Sequence, residues 1–261
     1  MMVVPHVCRS AAAVAEAAAA AVVRAAARAV AVRGRFLLAL SGGRTPVALY
    51  RLLADAVTTP LVAWERTHVF FVDERCVPPT DARSNYRLVQ ETGLLQRPLA
   101  AVYRIEGERP APEAAADYDK MVRRAAAGYA DECAEVPQLD VVVLGMGGDG
   151  HTASLFPGSE AVGETRRVAV AASSPDGLER VTLTLPVLWR AREILFLVTG
   201  AEKAGIVRQV LSAAQAGREG QKSPAALAMA GTRAVTLLLD GGAASLLGED
   251  ASDAVRVCGP Q

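Results

Sequence analysis

Residues Asp140 to Gly158 read DVVVLGMGGDGHTASLFPG, and this stretch constrains the fold more than any other. The apolar run Val141–Leu144 reads as a buried strand and passes without a break into the glycines Gly145, Gly147, Gly148 and Gly150. Glycines at a strand end expose backbone N–H groups and let another group approach closely. Asp149 and His151 follow in the same turn, at the carboxyl end of a strand, which is where open α/β sheets bind ligands. Thr152, Ala153 and Ser154 suit a helix start that Pro157 then stops.

Other apolar runs repeat the arrangement. Strands are expected at Arg35–Leu40, Thr67–Val72, Val102–Ile105, Val168–Ala172, Val181–Leu185, Ile194–Val198 and Ala234–Leu239. Between them lie helical segments. One runs from an N-cap at Ser10 to about Val32, with Gly34 as its stop. A second follows Thr45 as cap and Pro46 as first helical residue. A third opens at Ser84 and runs through Leu88 and Leu95, and others span Pro112–Ala130, Ala201–Ala213 and Ala243–Leu247; Gly217–Ser223 reads as a loop. Strands alternating with helices predict an α/β protein. It would be a single Rossmann-like domain over residues 1–261, a mostly parallel sheet with helices on both faces.

Composition narrows the function. Twenty-eight lysines and arginines balance 28 aspartates and glutamates, so nothing in the net charge calls for nucleic acid or an anionic membrane. The alanine-rich N-terminus is interrupted by Arg9, Glu16, Arg24 and Arg28, and no stretch reaches the roughly 18 apolar residues of a membrane span. Cys8, Cys76, Cys133 and Cys258 are scattered without metal-site spacing, which favours reduced thiols in a cytoplasmic protein.

Four strand ends carry polar punctuation: SGGRTP (Ser41–Pro46), DER (Asp73–Arg75), GMGGDGH (Gly145–His151) and TGAEK (Thr199–Lys203). In a parallel sheet they share one edge and can converge on one cleft. Gly42, Gly43, Arg44 and Thr45 at a helix start suit an anion, with Arg75 and Lys203 as cations for a phosphate. His151, presented beside Asp149, suits proton transfer near neutral pH. GMGGDG satisfies a dinucleotide-type glycine pattern, but the immediate histidine and the lack of a following acidic strand end argue against a nicotinamide cofactor. No metal-ligand motif and no G-x-S-x-G elbow is present.

These motifs, together with RVTLTLPVL (Arg180–Leu188), VTGAEKA (Val198–Ala204) and LLLDGGAASLL (Leu237–Leu247), resemble those of the 6-phosphogluconolactonase family in order, spacing and identity. The resemblance implies hydrolysis of 6-phosphoglucono-1,5-lactone without metal or organic cofactor. It implies His151 as general base and Asp149 as its neighbouring carboxylate. Gly42, Gly43, Thr45, Asp73, Arg75, Arg180 and Lys203 would face the sugar phosphate. Arg44 departs from the smaller residue of SGGSTP-like motifs, so its part is open: it could assist the phosphate or point into solvent. The expected partner is the small-molecule lactone alone, with the protein a monomer or small homo-oligomer.

Two other readings use the same scaffold. Aminoisomerases of the glucosamine-6-phosphate deaminase type tend to carry DEY and a DGHIAFNEP-like segment, whereas this chain has DER and DGHTASLFP, with no acid soon after the histidine. A non-catalytic sugar-phosphate sensor would usually bring a DNA-binding module, and no basic helix-turn-helix segment is evident.

Overall fold

The computed structural model describes residues 3–57, 59, 62–127, 135–216, 223–247 and 256–257. Along them run the strands β1 (Pro5–Cys8), β2 (Phe36–Leu40), β3 (Thr67–Phe71), β4 (Asp73–Arg75), β5 (Ala101–Tyr103), β6 (Val141–Leu144), β7 (Ala169–Ser173), β8 (Glu179–Leu183), β9 (Glu193–Val198), β10 (Val235–Asp240) and β11 (Arg256–Val257). The helices are α1 (Ala11–Arg33), α2 (Val47–Ala54), α3 (Asn85–Glu91), α4 (Ala111–Ala126), α5 (Leu185–Arg190), α6 (Ala204–Ala216), α7 (Pro224–Gly231) and α8 (Gly241–Ala244).

Eight strands form one sheet in the order β11-β1-β10-β9-β6-β2-β3-β5, and every pairing in it is parallel. β2 and β6, at its centre, are buried at every residue, as expected for strands covered on both faces. From β2 the chain steps through α2 to β3 on one side. From β9 it steps through α6 and α7 to β10 on the other. Right-handed crossovers in opposite directions put those helices on opposite faces. The helix α1, which leads from β1 to β2 in the same direction as α2, accordingly packs against α2. Ser10 caps α1 by accepting from the Ala13 N–H, and Gly34 ends it in the left-handed conformation at φ 76°.

A second sheet, β4-β8-β7, is antiparallel. The runs read as Val168–Ala172 and Val181–Leu185 belong to it rather than to the main sheet, and the DER motif is its edge strand. Four further expectations need correction. Thr152–Ser154 starts no helix: Thr152 donates to the Gly145 carbonyl at 2.9 Å, and Ala153 turns into the left-handed region at φ 53°. Thr45 is not the cap of α2; Pro46 holds that position with no side-chain bond, and the Thr45 hydroxyl lies 3.4 Å from that of Thr199. Leu94–Gln96 is a separate 3-10 turn, not the end of α3. Cys8 is disulfide-bonded rather than reduced. Residues 128–130 of the expected fourth helix, 217–222 of the expected loop, and Cys133 and Cys258 lie outside the described residues. Among the described residues, no helix is long and apolar enough to cross a membrane.

Candidate active site

The chain order reverses between the neighbours β2 and β6: β3 and β5 follow on one side, β9 and β10 on the other. A crevice opens at such a switch point outside the carboxyl ends of the strands. Here those ends carry Ser41–Pro46 and Gly145–His151.

Hydrogen bonds tie the neighbouring strand ends to these two turns. Lys203, in the 3-10 turn after β9, donates from Nζ to the Met146 carbonyl at 3.0 Å. Thr45 meets Thr199 across β2 and β9. At the start of α7, the Ser223 hydroxyl and the Ala225 N–H both donate to the Gly150 carbonyl. Asp240 ends β10, accepts from the Gly200 N–H at 3.0 Å and caps α8.

The Gly145–His151 turn holds an Asp–His pair. Asp149 Oδ1 accepts from the His151 backbone N–H at 3.1 Å and lies 2.5 Å from its Nδ1. A carboxylate only accepts, so Nδ1 carries the proton in this contact, and in the neutral ring the lone pair is then on Nε2. The imidazole packs at a tilt on Phe156, with ring centroids 4.7 Å apart. Partial burial pushes the Asp149 carboxyl up, but the His151 N–H and imidazole outweigh it and hold the group below the usual carboxylate range. Glycine at 147 is what makes room. A Cβ there would stand 2.1 Å from His151 Nδ1 and 2.7 Å from Asp149 Oδ1.

The DER strand packs against the loop that follows this turn. Asp73 pairs with Thr182 and Arg75 with Arg180 in the antiparallel register. Directly opposed residues share a face, and so do alternate residues along a strand. Asp73, Arg75, Arg180 and Thr182 therefore lie on one face, which receives the loop after His151. There Ser154 donates its hydroxyl to Asp73 Oδ2 at 2.6 Å and its N–H to Thr182 Oγ1 at 3.2 Å. Both Asp73 oxygens are engaged, the other by Asn85 at 3.2 Å, and the residue is buried. Its geometry is that of a brace. Arg75 donates Nη1 to the Arg83 carbonyl, and Arg180 donates Nη2 to Asp176 at 2.9 Å. Arg44 is exposed.

Sequence reasoning missed Glu74. Its carboxylate accepts from the N–H groups of Arg75, Asn85 and Tyr86 and from the Ser84 hydroxyl, anchoring α3 beside the motif. Burial pushes this carboxyl up, against those four donors. The discernible signal was an acid near a helix start, but the helix it serves lies ten residues away in the chain. Burial also raises the Cys76 thiol to about 11, so it is not a ready nucleophile. Four buried polar atoms of these segments have no hydrogen-bond partner among the described residues: Ser41 Oγ, Arg75 Nε, Asn85 Oδ1 and Arg180 Nε. Others lie elsewhere in the described residues, at Trp64, Arg97, Ser159 and Arg190, so these atoms do not by themselves mark the site.

The sequence pattern describing glucosamine-6-phosphate isomerases/6-phosphogluconolactonase matches residues 9–237. A probable chloroplastic 6-phosphogluconolactonase 3 of Oryza sativa subsp. indica is 40% identical over 206 residues, which cover 76% of this chain and 62% of that protein. The chain thus spans somewhat less than two thirds of that relative's length. The 6-phosphogluconolactonase of Homo sapiens is 39% identical over 224 residues, 82% of each chain. Among solved structures, the 6-phosphogluconolactonase from Trypanosoma cruzi superimposes with a TM-score of 0.79 at 29% identity, over 95% of this chain and 98% of that one.

Proposed function

The chain belongs to the glucosamine-6-phosphate isomerase/6-phosphogluconolactonase family, and from that premise we propose that it hydrolyses 6-phospho-D-glucono-1,5-lactone to 6-phospho-D-gluconate. The observation that carries the reading is the 2.5 Å contact between Asp149 and His151 Nδ1 at the switch point of the sheet.

A lactone is a cyclic ester. Opening it needs an activated water, stabilisation of the tetrahedral oxyanion and a proton for the departing ring oxygen. With Nδ1 bonded to Asp149, His151 Nε2 takes a proton from water as the oxygen attacks C1. The resulting imidazolium returns that proton to the ring oxygen as the C1–O bond breaks. The new carboxylic acid then loses its proton to solvent. N–H groups of the glycine turn suit the oxyanion. No protein nucleophile and no metal enters this scheme.

The phosphate is remote from the reacting carbon, and holding it converts binding energy into orientation of the carbonyl. Gly42, Gly43 and Thr45 at the end of β2 fit that role, with Arg75, Arg180 and Lys203 as the cations and Arg44 at the exposed rim. The reading takes residues 1–261 as one domain of a cytoplasmic monomer or small homo-oligomer acting on this small molecule alone. The supporting experiment is product formation from freshly made lactone above the spontaneous rate. Ammonia release from glucosamine 6-phosphate would instead establish the aminoisomerase reading.

A further inference from the structure

Asn85 is 1% exposed and stands where three site segments meet. Its Nδ2 donates to the Asp73 carbonyl at 2.9 Å and to Asp73 Oδ1 at 3.2 Å, and its backbone N–H donates to Glu74 Oε1 at 2.7 Å. Asp73 offers only acceptors here, so the amide nitrogen must face it and the orientation of the carboxamide is fixed. The carboxamide oxygen then faces Gly42 and has no hydrogen-bond partner among the described residues. A Cβ at Gly42 would stand 1.8 Å from Asn85 Oδ1, 2.4 Å from Cγ and 2.8 Å from Nδ2. Gly42 is outside the left-handed region, so glycine is needed there for space and not for conformation. Through Asp73, the contact continues to Ser154 and the loop after His151.

We propose that Asn85 is a positioning residue: its carboxamide, seated against Gly42, sets the phosphate-facing turn in place relative to the Arg75 strand and the His151 loop. The inference rests on the lactonase reading and deepens it. The Asp149–His151 contact lies outside this brace, since it is held within its own turn by the Gly147 N–H donating to the His151 carbonyl at 2.8 Å. Loss of the brace therefore misplaces the turn that grips the phosphate and leaves the proton-transfer pair intact. The effect falls on affinity rather than on the chemical step.

A double-mutant cycle tests this. Asn85→Ala removes the three atoms nearest the Gly42 Cβ position, so Gly42→Ala collides in the wild type and fits in the Asn85→Ala background. Each single variant is expected to raise KM, and the Kd for 6-phosphogluconate, at least about tenfold with kcat within about threefold, and the double variant to be no worse than Asn85→Ala alone. Losses that multiply in the double variant, or single variants that lower Tm with KM and Kd unchanged, overturn the proposal. If Asn85→Ala does not fold, Gly42→Ala alone decides: raised KM and Kd with kcat within about threefold support the proposal, and unchanged KM and Kd overturn it. A wild type that does not hydrolyse the lactone defeats the functional reading itself. An active wild type with an additive cycle defeats the positioning role alone.

Discussion

Gly147→Ala separates catalysis from stability in a way the geometry makes quantitative. The added methyl would stand 2.1 Å from His151 Nδ1 and 2.2 Å from its Cε1. Ordinary non-bonded contact lies near 3.5 Å, so the ring must withdraw by roughly 1.4 Å. The imidazole is one third exposed, at 33%, and can swing toward solvent, giving up its packing on Phe156. That costs about 1 kcal/mol or less of stability. Catalysis is less forgiving: a displacement near 1 Å costs on the order of 10²-fold in rate, or about 2.7 kcal/mol of barrier. The assay is initial-rate hydrolysis of fresh lactone, read by coupled oxidation of 6-phosphogluconate with the spontaneous rate subtracted, beside a thermal melt. The expected result is a kcat loss of that order with KM nearly unchanged and Tm within a few degrees. Wild-type kcat in Gly147→Ala would refute the claim that the Asp149-bonded imidazole is the working base.

Two further predictions concern stability. Gly231→Ala would drive a Cβ to within 2.0 Å of the Trp189 ring, whose Nε1 donates to the Leu227 carbonyl at 2.9 Å. It should destabilise by about 1–3 kcal/mol, seen as a lower Tm with unaltered KM. Glu164 accepts from the N–H groups of Arg166, Arg167 and Thr165 and pairs with the Arg167 side chain, which holds its carboxyl down at about 2 from an ordinary 4.5. A depressed folded-state value means stability fully present above pH 4.5 and lost as pH falls toward 2. In urea titrations Glu164→Gln should therefore be less stable than wild type at pH 6, and the gap should close between pH 4.5 and 2. A gap that persists at pH 2 contradicts the assignment.

The central strands were legible because each is an apolar run with abrupt punctuation. Phe36–Leu40 and Val141–Leu144 can hardly be anything but buried strands, and their glycine ends mark the crevice. What was illegible depends on partners distant in the chain. Asp-Glu-Arg has no strand signature; it becomes β4 because β8 offers it an antiparallel register. Thr152–Ser154 has the composition of a helix start, but Thr152 turns back to the Gly145 carbonyl and Ser154 is drawn to Asp73. The strain of Ala153 at φ 53° accompanies those two bonds. Asn85 is the first residue of α3, directly after the cap Ser84. Its second role exists only because Gly42 leaves room for its carboxamide. The disulfide at Cys8 had no signal in the spacing of the cysteines.

The most direct test compares the wild type with His151→Ala on freshly made 6-phosphogluconolactone in excess chelator. Strong acceleration by the wild type, unaffected by chelator, is expected, with a loss of about 10²-fold or more in the variant and 6-phosphogluconate binding retained. Acceleration that survives the substitution would contradict the role of His151. A wild type no faster than water would contradict the lactonase reading altogether.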